Sequence, residues 1–164
     1  MPQHQRILAI DPGTRELGVA LLEGRSLLYH DVHVFLHRES PNTILKEGRA
    51  MILRLIRDLK PDVIAMEKTF FANNRNSALL NVFSDEIRAV ARSRRVPVRA
   101  YAPSTVKKRV TGNGRAGKAE VAQVVVSRYP ELKVYLDQDR KWKTRFHANR
   151  FDAIAVGIVA LQDL

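Results

Sequence analysis

A chain of 164 residues, 45% of them hydrophobic and none of them cysteine, is long enough for one well-buried domain and short for two, and it excludes disulfides and thiolate metal sites. Its formal charge of +11, from 28 Lys and Arg against 17 Asp and Glu, favours a polyanionic partner. No apolar run approaches the roughly 18 residues of a membrane span and the first residues lack an apolar signal core, so the expected setting is the cytoplasm, away from membranes.

The residues 6–11 read as a central strand, with Ile7-Leu8-Ala9-Ile10 delivering Asp11 to a Pro12-Gly13 turn. Two further strands, 17–22 and 26–36, flank the turn Glu23-Gly24-Arg25 as a hairpin. The third partly alternates, with Val32, Val34 and Leu36 on one face and Asp31, His33 and Phe35 on the other. Residues 41–60 carry the clearest helical stripe (Leu45, Met51, Ile52, Leu55, Ile56, Leu59), ended by Pro61. The run 63–67 is a short, continuously apolar strand ending in Glu67, as expected in a sheet covered on both faces. A polar loop over 69–76 precedes a helix over 77–94 and a strand over 97–102. A short helical turn opens at Pro103, a glycine-rich loop covers 111–117, and a helix covers 118–128. The segment 129–146 reads as irregular and charged, and 149–161 as the last helix. Hairpin-linked strands followed by strands alternating with helices predict an α/β fold, a mixed five-stranded sheet with helices on both faces, in one domain over 1–164.

Three acids stand in apolar surroundings: Asp11, Glu67 and Asp152. Burying one carboxylate is costly, and burying three calls for a neutralising cation. Hard oxygen ligands suit Mg²⁺, with Mn²⁺ as a substitute, and two ions about 4 Å apart would make the site a phosphodiester-cleaving one. The plainer alternatives are a turn cap for Asp11, a strand-end surface acid for Glu67 and an ion pair with Arg145 or Arg150 for Asp152. Asn149 lies three residues before Asp152, on the same helical face. It is equally placed to cap the helix or to offer a metal its carbonyl oxygen. His147 reaches the acids only if the helix starts after it, and would then serve as a ligand or a leaving-group acid.

The stretch from Arg88 to Lys118 holds ten Lys or Arg and no acid, and a second cluster comprises Arg140, Lys141, Lys143, Arg145 and Arg150. Such clustering is either a solvated surface or the footprint of a phosphate-backbone binder. Phe70 and Phe71 are either a staple onto the core or a stacking platform for a base. Asn73, Asn74 and Arg75 suit base edges.

The ordered set Asp11-Pro12-Gly13, Glu67 to Asn74, Tyr101 to Lys108, Val110 to Lys118 and Asp152 resembles the RuvC Holliday-junction resolvases of the RNase H-like superfamily. Asn81, Asp85 and Glu86, and Asn149 where the family usually has an acid or a histidine, mark a divergent member, and a phage or mobile element is one source of such divergence. The resemblance implies a metal-dependent endonuclease that nicks four-way DNA junctions in symmetric pairs and leaves 5′-phosphate ends. It implies catalytic roles for Asp11, Glu67, Asp152 and Lys118, and phosphate contacts through Lys107 and Lys118. Lys108 and Arg115 join the DNA-binding set, and Gly112, Gly114 and Gly117 would admit the backbone closely. It also implies a homodimer paired through the helix over 77–91; a branch-migration motor is left open as a partner. Three other readings stand beside it: an ATPase of the actin-like kind, a YqgF-like nuclease of structured RNA, and a non-catalytic junction-binding protein.

Overall fold

The structure, a computed structural model, describes residues 4–36, 40–69 and 75–164, with the side chains of Arg75 and Asn76 left out. Its elements are β1 (Arg6–Asp11), β2 (Glu16–Glu23), β3 (Ser26–Val34), α1 (Pro41–Leu59), β4 (Val63–Glu67), α2 (Arg75–Ser93), β5 (Val98–Tyr101), α3 (Pro103–Thr111), α4 (Lys118–Arg128), a 3-10 turn (Pro130–Leu132), α5 (Lys133–Trp142) and α6 (Ala148–Gln162). The sheet order is β3-β2-β1-β4-β5. The first three strands are antiparallel neighbours, and β4 and β5 run parallel to β1.

The period-2 alternation of the central strands sorts the core into two layers. Leu8 and Ile10 of β1 and Ile64 and Met66 of β4 pack with α1 and α2. Ile7, Ala9, Val63 and Ala65 pack with α3, α4 and α6 on the other face. This parity fixes the site. Asp11 continues the Ile7–Ala9 row and Glu67 continues the Val63–Ala65 row, so both strands end with a carboxylate on the α6 face. The parallel register pairs Ile7 with Val63 and Ala9 with Ala65, which brings the two acids out side by side.

Helix α1 starts where Ser40 Oγ accepts from Thr43 N–H at 3.2 Å, with Pro41 in its first turn, and ends at Lys60 in the left-handed region. Three predicted segments differ. Residues 129–146, expected to be irregular, contain α5, of which only Leu136 is buried. With one inward residue in ten, the apolar period was too weak to announce a helix. On edge strand β3 the buried residue nearby is Phe35, while Val34 and Leu36 are exposed, so the aliphatic row faces water. The turn at Pro103 extends into a nine-residue helix, closed by Gly112 at φ +86° donating its N–H to Lys108 O.

Candidate active site

The cleft between the ends of β1 and β4, α3, the start of α4 and α6 has a volume of about 220 Å³ and is lined by Asp11, Glu67, Lys107, Lys118, Asn149 and Asp152, among others. Three carboxylates that are 56 and 85 residues apart in sequence thus share one small space. Burial raises the Asp11 carboxyl well above its ordinary range, and the charges of Asp152 and Glu67 push it further. Glu67 is pushed up to about 7, first by burial and then by Asp152. Asp152 is raised by burial against the pull of Lys118. Partial burial works against the Lys118 ammonium, yet Asp152, Asp11 and Glu67 together outweigh it and hold its pKa above the usual lysine value.

Lys118 Nζ stands 3.2 Å from Asp152 Oδ2, on the first residue of α4. Among the described residues no three carboxylate or imidazole groups form a ready ligand cluster. Like charges in a low dielectric repel, and Lys118 supplies one compensating charge where three acids need more. The chemistry of the donor set nevertheless fits a hard divalent cation: three carboxylates with raised pKa values line one cleft, and the Lys118 ammonium pairs with one of them.

Asn149 joins the acids as the second residue of α6. The cap position itself falls to His147, whose side chain makes no capping hydrogen bond, so the capping reading of Asn149 does not describe this helix. Its Nδ2 donates to Glu16 Oε2 at 3.0 Å and to Glu16 O at 3.4 Å. Both partners are acceptors, so the amide NH₂ must face Glu16, and the carbonyl oxygen is the atom left with ligand character. Glu16 was not singled out from sequence, because nothing in the run Thr14-Arg15-Glu16 distinguishes a functional acid from a strand-opening one. Gly18 completes the contact: a Cβ there would lie 2.0 Å from Asn149 O, so only glycine lets β2 take the first turn of α6 this closely.

His147 is placed elsewhere. It is buried, with Nε2 3.0 Å from Gln138 Oε1 and Nδ1 accepting from Arg150 Nε at 3.4 Å. Its ring packs on Tyr135 and Phe146, and it does not line the acid cleft. The helix does begin after it, as a ligand role required, but the side chain turns under α5, where both ring nitrogens are engaged. Lys107 lines the cleft. Lys108 and Arg115 are exposed outside it. Gly112 serves the end of α3, and a Cβ at Gly112 or Gly117 would meet nothing within 4 Å, so crowding does not explain either glycine. Phe70, Phe71, Asn73 and Asn74, and the side chain of Arg75, lie outside the described residues.

The sheet order, the face shared by the acids and the lysines at the cleft define an RNase H-like fold of the nuclease class. A family model described as "Crossover junction endodeoxyribonuclease RuvC" matches residues 7–159. The RuvC protein of Geobacter sulfurreducens is 36% identical over 130 residues, covering 74% of this chain and 77% of that one. That of Salinispora arenicola is 32% identical over 127 residues, covering 73% and 72%. Among solved structures, Thermus thermophilus RuvC in complex with Holliday junction substrate superposes with a TM-score of 0.74 at 23% identity, covering 93% of this chain and 90% of that one. The yeast mitochondrial Holliday junction resolvase gives 0.58 at 13% identity, covering 94% and 78%. The chain belongs to the RuvC family of crossover junction endodeoxyribonucleases. No helix among the described residues is long and apolar enough to cross a membrane.

Proposed function

We propose that this chain is one nuclease domain that, as a homodimer, resolves four-way DNA junctions by paired symmetric nicks and leaves 5′-phosphate ends. The observation that carries the proposal is the convergence of Asp11, Glu67 and Asp152 in a single cleft with Lys107 and Lys118. Asp11, Glu67 and Asp152 would hold two Mg²⁺ ions, with the Asn149 carbonyl oxygen as the fourth donor. Mg²⁺ is the metal that membership of the RuvC family generally implies. The chemistry a bound ion pair supplies is activation of water on one side of the phosphate and stabilisation of the leaving 3′ oxygen on the other.

The remaining work belongs to the protein. At neutral pH the acids hold more protons than free carboxylates, so cation binding is coupled to proton release and strengthens as pH rises. Lys118, paired with Asp152, is placed to pass to the incoming phosphate once the acids have another counter-charge. Lys107 adds a second cation at the same mouth, and its charge already lowers the pKa values of Glu67 and Asp152. The dimer reading is supported by α2, where Ala78, Val82 and Ala89 form an exposed row of small apolar residues beside the buried Phe83, Ile87 and Val90. Symmetry would then place two clefts on two strands of one junction.

The test is Asp11→Asn. Phosphate contacts dominate affinity, so this variant should bind a four-way junction nearly as wild type while losing all Mg²⁺-dependent cleavage. Equal cleavage by the variant would remove Asp11 from the chemistry. Cleavage of structured RNA in preference to DNA junctions would move the chain to the RNA-processing reading, and junction binding without nicking in either metal would leave a binding protein.

A further inference from the structure

Beside the catalytic cleft lies a second cavity of about 440 Å³, enclosed by the start of α4, by α5 and by the start of α6. It shares Lys118 and Asp152 with the cleft, so the two are direct neighbours. Its floor is apolar, with Ala122, Leu136 and Phe151, and Arg140 and Arg145 stand among its lining residues. Both arginines are exposed. Among the described residues neither pairs with a carboxylate, and the hydrogen bond of Arg140 goes to the neutral Gln123 Oε1 at 3.2 Å. The one other acid in the lining, Asp139, is committed to its own loop: Oδ1 accepts from Thr144 Oγ1 at 3.1 Å and Oδ2 from His147 N–H at 3.0 Å.

We infer that this cavity is a channel for the DNA strand next to the scissile phosphate, with Arg140 and Arg145 contacting its backbone phosphates. The inference rests on the nuclease reading and adds a binding wall that the acid cleft does not contain. An apolar floor under a cationic rim matches the two surfaces of a deoxyribose-phosphate chain, with the sugar face against Ala122, Leu136 and Phe151 and the phosphates toward the guanidinium groups. Guanidinium forks also suit phosphate oxygens better than a point charge does. Lys118 lines both spaces, so a strand whose phosphate sits at the acids has this cavity as its neighbouring surface. Helix α5 acquires a purpose in the same way: it buries only Leu136 and carries Arg140 to the rim.

The experiment is a salt titration of junction binding in EDTA, with ethylation interference on the same DNA. The proteins are wild type, Arg140→Gln/Arg145→Gln, the charge-keeping Arg140→Lys/Arg145→Lys, and Arg25→Ala. Arg25 serves as the control because it lies in the β2–β3 turn, at the end of the sheet opposite Asp11. Each lost phosphate contact lowers the slope of log K against log salt by about 0.9. The Gln pair removes two contacts from each protomer of the dimer and should therefore flatten the slope by about 3.6, or about 1.8 per protomer, and lose interference at phosphates flanking the nick. The Lys pair should keep most of the slope, and Arg25→Ala should match wild type. A Gln pair that binds with the wild-type slope and footprint, while wild type cleaves junctions normally, overturns the channel and leaves the nuclease reading intact. A wild-type chain that neither binds nor cleaves junctions removes both.

Discussion

Replacing Glu67 by Gln should stabilise the metal-free protein at alkaline pH while abolishing its use of a divalent cation. Glu67 is held at about 7 in the folded chain against an ordinary value of 4.5. Its folded pKa is raised, so the stability it contributes is fully present below about 4.5 and is lost as pH rises through about 7. At 1.36 kcal/mol per pH unit the displacement is worth roughly 3 kcal/mol once the group is ionised in both states. About 2 kcal/mol of that falls between pH 5.5 and pH 8. Gln keeps the shape and carries no charge at any pH, so Glu67→Gln should gain on wild type over this range, by about 4–8 °C in Tm for a chain of this size. In EDTA the difference between the two proteins should grow from pH 5.5 to pH 8. With Mg²⁺ at pH 8 wild type should recover and the variant should not. Guanidinium denaturation at the two pH values, with and without Mg²⁺, measures all four corners. A variant that is destabilised equally at both pH values would refute the reasoning, because Glu67 would then act through packing or hydrogen bonding rather than through its buried charge.

Three further outcomes are expected. Glu16→Ala releases the Asn149 amide and should raise the Mg²⁺ concentration needed both for half-maximal cleavage and for thermal stabilisation, while Glu16→Gln, still an acceptor, should restore both; two variants alike in these readouts would show that Glu16 does not orient Asn149. Gly18→Ala puts a methyl group against the backbone carbonyl of Asn149 and should cost about 1–3 kcal/mol or more by overpacking, seen as a lowered denaturation midpoint with weakened cleavage; a wild-type midpoint would refute the close contact. His30 and His147 are held below the ordinary histidine value by burial, with Arg150 adding to the depression, so they favour folding above about pH 6.5 and disfavour it as pH falls. A His30→Asn variant should therefore gain on wild type in denaturation midpoint between pH 7.5 and pH 5, and a constant difference would exclude the histidine.

Much of this site was legible because it follows from strand parity. An apolar run of period 2 that ends in an acid fixes which face the acid takes, and Asp11 and Glu67 obeyed that rule on neighbouring parallel strands. Asp152 was legible for a related reason, as a carboxylate surrounded by Phe151, Ala153 and Ile154. Its spacing from Asn149 also held, since i and i+3 share a helical face. Contacts set by tertiary packing were less visible. The reach of Glu16 to Asn149 spans 133 residues, and no local pattern encodes it. His147 begins the right helix, but its ring is drawn to Tyr135 and Gln138 on α5, an element that was itself unread because charge dominates its sequence. The edge position of β3 likewise decided that Val34 and Leu36 face water, which alternation alone could not do. The need for Gly112 at the left-handed end of α3 was likewise not legible, since the glycine-rich loop suggested only close approach to a DNA strand.

The most direct test is cleavage of an end-labelled, mobile four-way DNA junction beside a matched linear duplex, in Mg²⁺ and in EDTA. The account predicts paired nicks at symmetric positions in the junction, 5′-phosphate ends, an intact duplex and no reaction in EDTA. Nicks that persist in EDTA, or equal breakdown of the linear duplex, would contradict it.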